Sequence, residues 1–241
     1  MRLALALAAA AAALCVSQAS AQMALAGHFA NHYDPYYVMP AEKGSAGLDA
    51  VLDSWDMASL GDRSDVVVAA KYGLVRGMEV GASATIGSLF TFPSGVQKDA
   101  LSALVVGAKY STLSAGATTV DVLLPVGDAN DAGVALGQMW STELGSLGLN
   151  NHLQVSFLHG YAAKGVNLEL LVQPVKQFSE KLFGYADFEF HANTDHFGDT
   201  FNIDLLPNLD VELHPGLLLN AGVRLNIHNG TDRSSDIGLR W

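Results

Sequence analysis

The chain has almost no cysteine. Cys15 is the only one among 241 residues, and it lies in a segment that we expect to be removed from the mature protein. A mature chain without cysteine has no disulfide framework, no thiol nucleophile and no cysteine-based zinc site. The sequence therefore excludes disulfide-stapled domains, cysteine enzymes and cysteine zinc proteins.

The chain also lacks long apolar runs and basic charge. Half of its residues are hydrophobic, yet beyond the N-terminus no run approaches the ~20 apolar residues of a membrane helix. Lys and Arg number 13 against 24 Asp and Glu, and no basic run occurs. This acidic balance argues against a nucleic-acid partner.

The N-terminus reads as a secretory signal peptide. Arg2 supplies the positive charge, an apolar run follows to Val16, and Ala19-Ser20-Ala21 is a small-residue cleavage site. An anchor helix is the alternative, and a lipidated Cys15 is disfavoured by the bulky Leu14 before it. We predict a signal peptide at 1–21, an N-terminal periplasmic or plug segment at 22–46, and the main domain at 47–241.

Apolar and polar residues alternate along the main domain. In "GLLLNAGVRLNIH", Val223 and Leu225 share one face of a strand, while Arg224 and Asn226 share the other. Such runs of about 9–12 residues match tilted strands that cross a bilayer. We predict twelve strands near residues 48–58, 64–74, 77–87, 101–111, 115–125, 132–142, 151–160, 165–174, 182–192, 202–213, 217–228 and 234–241.

Twelve alternating strands predict an all-β, closed antiparallel transmembrane barrel in the outer membrane. In hydrocarbon every backbone N–H and C=O must be paired, so a spanning sheet must close on itself. Outer-membrane barrels have short periplasmic turns and longer outer loops. We expect long outer loops at Ser88–Ala100 and Asn193–Phe201, and one long inner connection at Glu143–Asn150.

The last strand carries a row of apolar residues that ends in an aromatic. Ile237, Leu239 and Trp241 alternate with polar residues. This pattern resembles the signal that the outer-membrane barrel-insertion machinery reads. A soluble periplasmic β-sandwich or lipocalin-like binding protein would alternate as well, with its apolar rows facing a core.

The polar rows predict a lumen in which acids outnumber bases. We choose Glu79, Lys109, Asp121 and Arg224 as candidates for a constriction, together with the Ser88–Ala100 loop folded inward. Such charges either pair across a narrow interior or line a water-filled path that favours cations. The outer-loop sequence "HANTDHFGD" carries His191, Asp195, His196 and Asp199, and a solvated loop is favoured over a calcium or lipopolysaccharide-bridging metal site.

Two stretches resemble a known family. "VVVAAKYGLVRGMEVGAS" and "VVGAKYSTLSAGATTVDVLLPVGDAND" are similar to the outer-membrane transporter family of the phenol-degradation (meta-cleavage) pathway, over about residues 60–131. The resemblance implies a barrel of about twelve strands that passes small hydrophobic or aromatic compounds. It implies no catalytic residues.

The favoured function is a passive channel or transporter for small solutes, in contact with outer-membrane lipid. A non-conducting structural barrel is the first alternative. A lipid hydrolase is disfavoured, because His152 and Ser156 lie about 13 Å apart along a strand, beyond hydrogen-bond reach. The sequence calls for no cofactor and no resident metal.

Overall fold

The computed structural model describes most of the main domain and a short stretch before it. The described residues are 38, 40–56, 62–92, 95–113, 116–124, 126, 132–159, 166–194, 197, 201–215, 217–228 and 233–240. The predicted signal peptide and most of the predicted N-terminal segment lie outside this range. Within the described residues, no helix is long and apolar enough to cross a membrane.

Twelve strands form one closed antiparallel barrel, which confirms the predicted fold class. Each strand pairs with its sequence neighbours, and the last closes on the first, with Asp49 opposite Arg240 and Asp56 opposite Arg233. The strands are β1 (Ala46–Asp56), β2 (Asp62–Val75), β3 (Met78–Phe92), β4 (Gly95–Leu113), β5 (Gly116–Leu124), β6 (Ala132–Leu144), β7 (Leu147–His159), β8 (Val166–Ser179), β9 (Leu182–Asn193), β10 (Asn202–His214), β11 (Leu217–His228) and β12 (Arg233–Arg240).

The exposure of alternate residues shows which face is inside. On β11, Val223 and Leu225 are 45% and 43% exposed. Asn220 and Arg224, which belong to the alternate row of the same strand, are only 2% and 6% exposed. The apolar row therefore faces out and the polar row faces in, which is the reverse of a soluble sandwich or lipocalin. An apolar outer wall is suited to hydrocarbon, because the closed ladder pairs the backbone groups.

The two ends of the barrel differ in the length of their connections. Two residues separate β2 from β3, β4 from β5, β6 from β7, β8 from β9 and β10 from β11 at one end, which also carries the start of β1. At the opposite end most connections are longer, and the one between β9 and β10 has eight residues. We call these the turn end and the loop end.

Two predicted loops are wrong. Residues Ser88–Ala100 belong mainly to strands: β3 and β4 continue past the bulge at Thr85/Ile86, and Ser88 pairs with Asp99. Backbone pairing extends this hairpin until Phe92 lies opposite Gly95, so only two residues separate the two strands. The hairpin reaches beyond the bilayer, since β4 has 19 residues and a span needs about 9–11.

The long inner connection at Glu143–Asn150 is also absent. β6 and β7 run on until Leu144 pairs with Leu147, and Gly145 makes the turn with a φ of +63°. Glycine adopts this left-handed conformation without steric cost, so two residues suffice to reverse the chain.

Candidate functional site: the charged lumen

The inner wall of the barrel carries a large excess of buried acids. Among the described residues, eight carboxylates but only two bases have less than a tenth of their surface exposed. Because inward positions alternate along every strand, these side chains come from many strands and meet in the lumen. The acids are Asp65, Glu79, Asp121, Glu169, Asp187, Glu189, Asp204 and Asp210, and the bases are Lys109 and Arg224.

The first cluster lies on β3, β4 and β5. Glu79 is directly opposite Lys109 in the ladder, and Lys109 Nζ lies 3.4 Å from Glu79 Oε1. Asp121 on β5 interacts electrostatically with Lys109. One ammonium thus serves two carboxylates, and the cluster carries a formal charge of minus one if both are ionised.

The residues just before β1 turn back into the barrel and reach this cluster. Ser45 N donates to Glu42 O over 3.0 Å, and Gly44, with a φ of +84°, occupies the position of a type II turn that favours glycine. Beyond this re-entry turn (residues 42–45), Ala41 N donates to Glu79 Oε2 over 2.9 Å. Glu79 is therefore shared between Lys109 and the N-terminal segment.

A glycine in β2 makes room for the re-entry turn. Gly73 N donates to Ser45 O and Gly44 N donates to Gly73 O, at 2.9 and 2.8 Å. A Cβ on Gly73 would collide with the Glu42 carbonyl oxygen and would lie 2.9 Å from Ala41 O. The backbone of the segment can press against the wall only because this position has no side chain.

The second cluster lies on β8 to β11, on another part of the wall. Arg224 Nη1 donates to Glu189 Oε2 and to Asp204 Oδ2, both over 2.8 Å. His191 Nε2 lies 3.2 Å from the same Glu189 oxygen, and its Nδ1 lies 3.7 Å from Glu169 Oε2. One guanidinium and one imidazole therefore face three carboxylates.

The second cluster also has the residue types of a metal site. Ligand atoms of Glu189, His191 and Asp204 lie within 4.8 Å of one another. However, Arg224 Nη1 already donates to one oxygen of each of these two carboxylates, Glu189 Oε2 and Asp204 Oδ2. The guanidinium already supplies the positive charge there, so the geometry describes an ion-pair network.

Neutral amides donate hydrogen bonds to other carboxylates of the lumen. Gln173 Nε2 donates to Asp187 Oδ1 over 2.7 Å, and Asn220 Nδ2 donates to Asp210 Oδ1 over 2.6 Å. Amide donors stabilise a buried carboxylate without neutralising it. The interior thus keeps its excess of negative charge.

The predicted constriction residues fall into these two clusters. Glu79, Lys109 and Asp121 lie together, while Arg224 belongs to the network on β9 to β11. His191, which was predicted to lie on an outer loop, is instead an inward residue of β9. Its signal was the alternation on β9, which continues through Asp187 and Glu189 to His191.

The C-terminal row is only partly described. Ile237 is exposed and Leu239 is half-buried, and both lie on the outward face of β12. Trp241 lies outside the described residues.

A closed antiparallel barrel with an apolar outer face and a charged lumen defines the class of outer-membrane β-barrel folds. No protein-family profile and no curated protein sequence matches the chain. Solved structures do match: an outer-membrane channel from Pseudomonas putida F1 has a TM-score of 0.61 at 12% identity, covering 87% of this chain and 99% of that one.

Two further channels have the same fold. The NanC porin has a TM-score of 0.58 at 8% identity, covering 80% of this chain and 98% of that one. The KdgM porin, solved in complex with disordered oligogalacturonate, has a TM-score of 0.55 at 11% identity, with 81% and 98% covered. At these identities the likeness shows the fold.

Proposed function

We propose that the chain is an outer-membrane channel through which small solutes diffuse passively. The observation that carries this proposal is the combination of an apolar outer wall with a lumen of buried charged and amide side chains. A barrel that served only as a membrane anchor could fill its interior with apolar side chains and avoid the desolvation of eight carboxylates. Charged side chains in a lumen are the usual determinants of which ions pass.

The sign of the lumen charge limits the solutes. Eight buried carboxylates against two bases repel anions and attract cations. Oligogalacturonate, which the KdgM porin binds in its solved complex, is a polyanion. We therefore propose cationic or neutral solutes for this chain. The hydrophobic or aromatic solutes implied by the family resemblance remain a second prediction, which the same transport assays can test.

The N-terminal segment is the proposed gate. Val38 and Ala41 are buried, and the segment meets the Glu79–Lys109 pair inside the barrel. We propose that this segment, predicted at 22–46, closes the lumen at the turn end with the residues that precede β1 at Ala46, and that the channel conducts when they leave it. In the closed state the segment covers the cluster, which explains why its side chains are almost fully buried in a protein that transports solutes.

Two further parts of the proposal concern assembly. We propose that residues 1–21 direct export across the inner membrane. We also propose that Ile237, Leu239 and Trp241 are read by the barrel-insertion machinery at the outer membrane. Replacing Trp241 with alanine should then reduce the amount of folded barrel in membranes, measured as the heat-modifiable band on a gel.

Single-channel recording tests the channel. The refolded mature chain would be placed in a planar bilayer under a salt gradient, after a heat-modifiable gel shift has shown that it is folded. We expect discrete conductance steps and a reversal potential that shows cation preference. Persistent silence from a folded barrel, with and without residues 22–44, would contradict the channel and favour the structural barrel.

A further inference from the structure

Two glycines make recesses in the wall beside the first cluster. A Cβ on Gly107 of β4 would collide with Asp121 Oδ1, and it would lie 2.8 Å from the Val120 carbonyl oxygen. A Cβ on Gly137 of β6 would collide with both Thr119 Oγ1 and His152 Nε2. The side chains of β5 and β7 can therefore lie over the neighbouring strands.

Three oxygen atoms on β5 and β7, the strands next to these glycines, have no hydrogen-bond partner among the described residues. They are Thr119 Oγ1, Asp121 Oδ1 and Gln154 Oε1, and each residue is only 1% exposed. Buried polar atoms in folded proteins almost always have a partner, which is protein, ordered water or a ligand. The carboxylate, amide and hydroxyl oxygens of these three residues can all accept hydrogen bonds, so they indicate a site for a molecule that donates them.

The strand register brings the three acceptors together. Thr119 pairs with Gly137, and Gly137 pairs with Gln154 on the next strand. Asp121 follows Thr119 at the next inward position of β5, since inward positions recur every second residue. We call Thr119, Asp121 and Gln154 the acceptor site, with Gly107 and Gly137 as its floor.

The formal charge around the acceptor site is negative when Glu79 and Asp121 are both ionised. Asp121 shares Lys109 with Glu79, so one ammonium faces two carboxylates. A ligand that brings N–H donors and a positive charge would satisfy the orphaned oxygens and balance this charge. A neutral donor would do the first only, and a cation without N–H groups would do the second only.

We propose that the acceptor site binds a small organic cation with several N–H donors, such as a guanidinium or primary ammonium group. As a statement about which solutes pass the lumen, this inference rests on the proposed channel function. As a statement about binding, it needs only a folded barrel. A divalent metal ion fits less well, because calcium takes about six to eight oxygen ligands and magnesium demands octahedral geometry.

Three probes separate charge from hydrogen bonding. Guanidinium carries both a positive charge and N–H donors, tetramethylammonium carries the charge alone, and urea carries N–H donors of similar layout without charge. Each would be titrated, at constant ionic strength and below denaturing concentrations, into the isotope-labelled mature chain in detergent micelles. The measurement is the NMR shift of backbone amides in β5 to β7 and of the Gln154 side-chain amide.

We expect saturable shifts with guanidinium, clustered around Thr119, Asp121 and Gln154. The isosteric variant Thr119→Val should weaken binding about fivefold, as the loss of one hydrogen-bond acceptor predicts, and Asp121→Asn should weaken it more because it also removes the negative charge. Asp210→Asn is the matched control, because it removes a buried carboxylate from another part of the wall. This control should bind guanidinium as the unchanged chain does.

Other outcomes would overturn the inference. Equal binding of tetramethylammonium would mean that only the negative field of the lumen attracts cations. Equal binding of urea would mean that charge has no part, and calcium-induced shifts stronger than those of guanidinium would indicate a metal site. Localised guanidinium binding in a barrel that never conducts would support the site and contradict the channel, whereas conduction without such binding would do the opposite.

Discussion

Ala41 donates its backbone N–H to the Glu79 carboxylate over 2.9 Å, and the other oxygen of the same carboxylate lies 3.4 Å from Lys109 Nζ. A residue that precedes the barrel in sequence is thereby attached to a charge pair inside it. Hydrogen bonds to a buried carboxylate are stronger than neutral ones. The position of the N-terminal segment and the electrostatics of the lumen are therefore coupled through Glu79.

The first prediction concerns the space beside Gly73 that the re-entry turn occupies. Gly73→Val would place a branched side chain where the Glu42 carbonyl lies, so the turn could no longer pack against β2. If the closed state loses about 1 kcal/mol of contact free energy, the ratio of closed to open barrel falls about fivefold. We expect a higher open probability in single-channel recordings.

The matched control for Gly73→Val is Ala69→Val. Ala69 lies on the same inward row of β2, four residues away from Gly73 and from the turn. The Ala69→Val substitution adds comparable bulk to the lumen without entering the space that the re-entry turn occupies. An equal rise in open probability for both variants would show that bulk alone matters, and would argue against the N-terminal segment as the gate.

The second prediction concerns Arg224. Arg224→Gln would leave Glu189 and Asp204 without the guanidinium that donates to both at 2.8 Å. Removing one partner of a buried ion pair costs about 3–5 kcal/mol, because the remaining charge stays desolvated. We expect unfolding in urea at a clearly lower concentration, measured by tryptophan fluorescence of the barrel in lipid vesicles.

A compensated variant checks the reason for this loss. Arg224→Gln combined with Glu189→Gln and Asp204→Asn removes the three charges together, keeps the shapes of the two acidic side chains, and shortens the side chain at 224 as the single variant does. Much of the lost stability should return. If the triple variant is as unstable as Arg224→Gln, the packing of the guanidinium matters more than its charge.

The twelve strands were predictable because a bilayer constrains each strand separately. Val223 and Leu225 must face hydrocarbon while Arg224 faces the lumen, so the period of two is visible within a single segment. The number of strands and the closure on β12 then follow from backbone pairing. This part of the fold depends on local pattern and needs no knowledge of partners.

The wrong loops have a different cause. Nothing in the alternation marks where hydrocarbon ends, so the paired residues beyond it, such as Ser88 and Asp99, read as loop. At Glu143–Asn150, glycines weaken the alternation, although Gly145 was itself the turn signal. Hairpin length beyond the membrane is set by backbone pairing and turn chemistry, which hydropathy does not report.

The composition of the clusters was only partly predictable. Alternation shows that Glu79, Lys109 and Arg224 face inward, but it does not show which strands bring side chains into contact. The neighbours of Glu79 follow once the register with β4 is known. The contact from Ala41 had no sequence signal, because it uses a backbone N–H of an irregular segment.

The third prediction concerns the floor of the acceptor site. Gly137→Ala would force the Cβ against Thr119 and His152, and overpacking of this kind costs about 1–3 kcal/mol. Gly148→Ala on β7 is the control, because its nearest neighbours lie 3.9 Å away. We expect lower stability against urea for the first variant and little change for the second. Equal stability of both would mean that Thr119 and His152 adjust freely.

The fourth prediction concerns selectivity. Asp121→Asn removes one buried carboxylate from the lumen, where low dielectric strengthens its effect on passing ions. Glu143→Gln removes an equal charge from an exposed position near a two-residue turn, where salt screens it within about 10 Å at 0.1 M. We expect the reversal potential under a salt gradient to move toward zero for Asp121→Asn and to stay unchanged for Glu143→Gln. The opposite ranking would place the selective step at the mouth of the barrel, outside the Glu79–Lys109–Asp121 cluster.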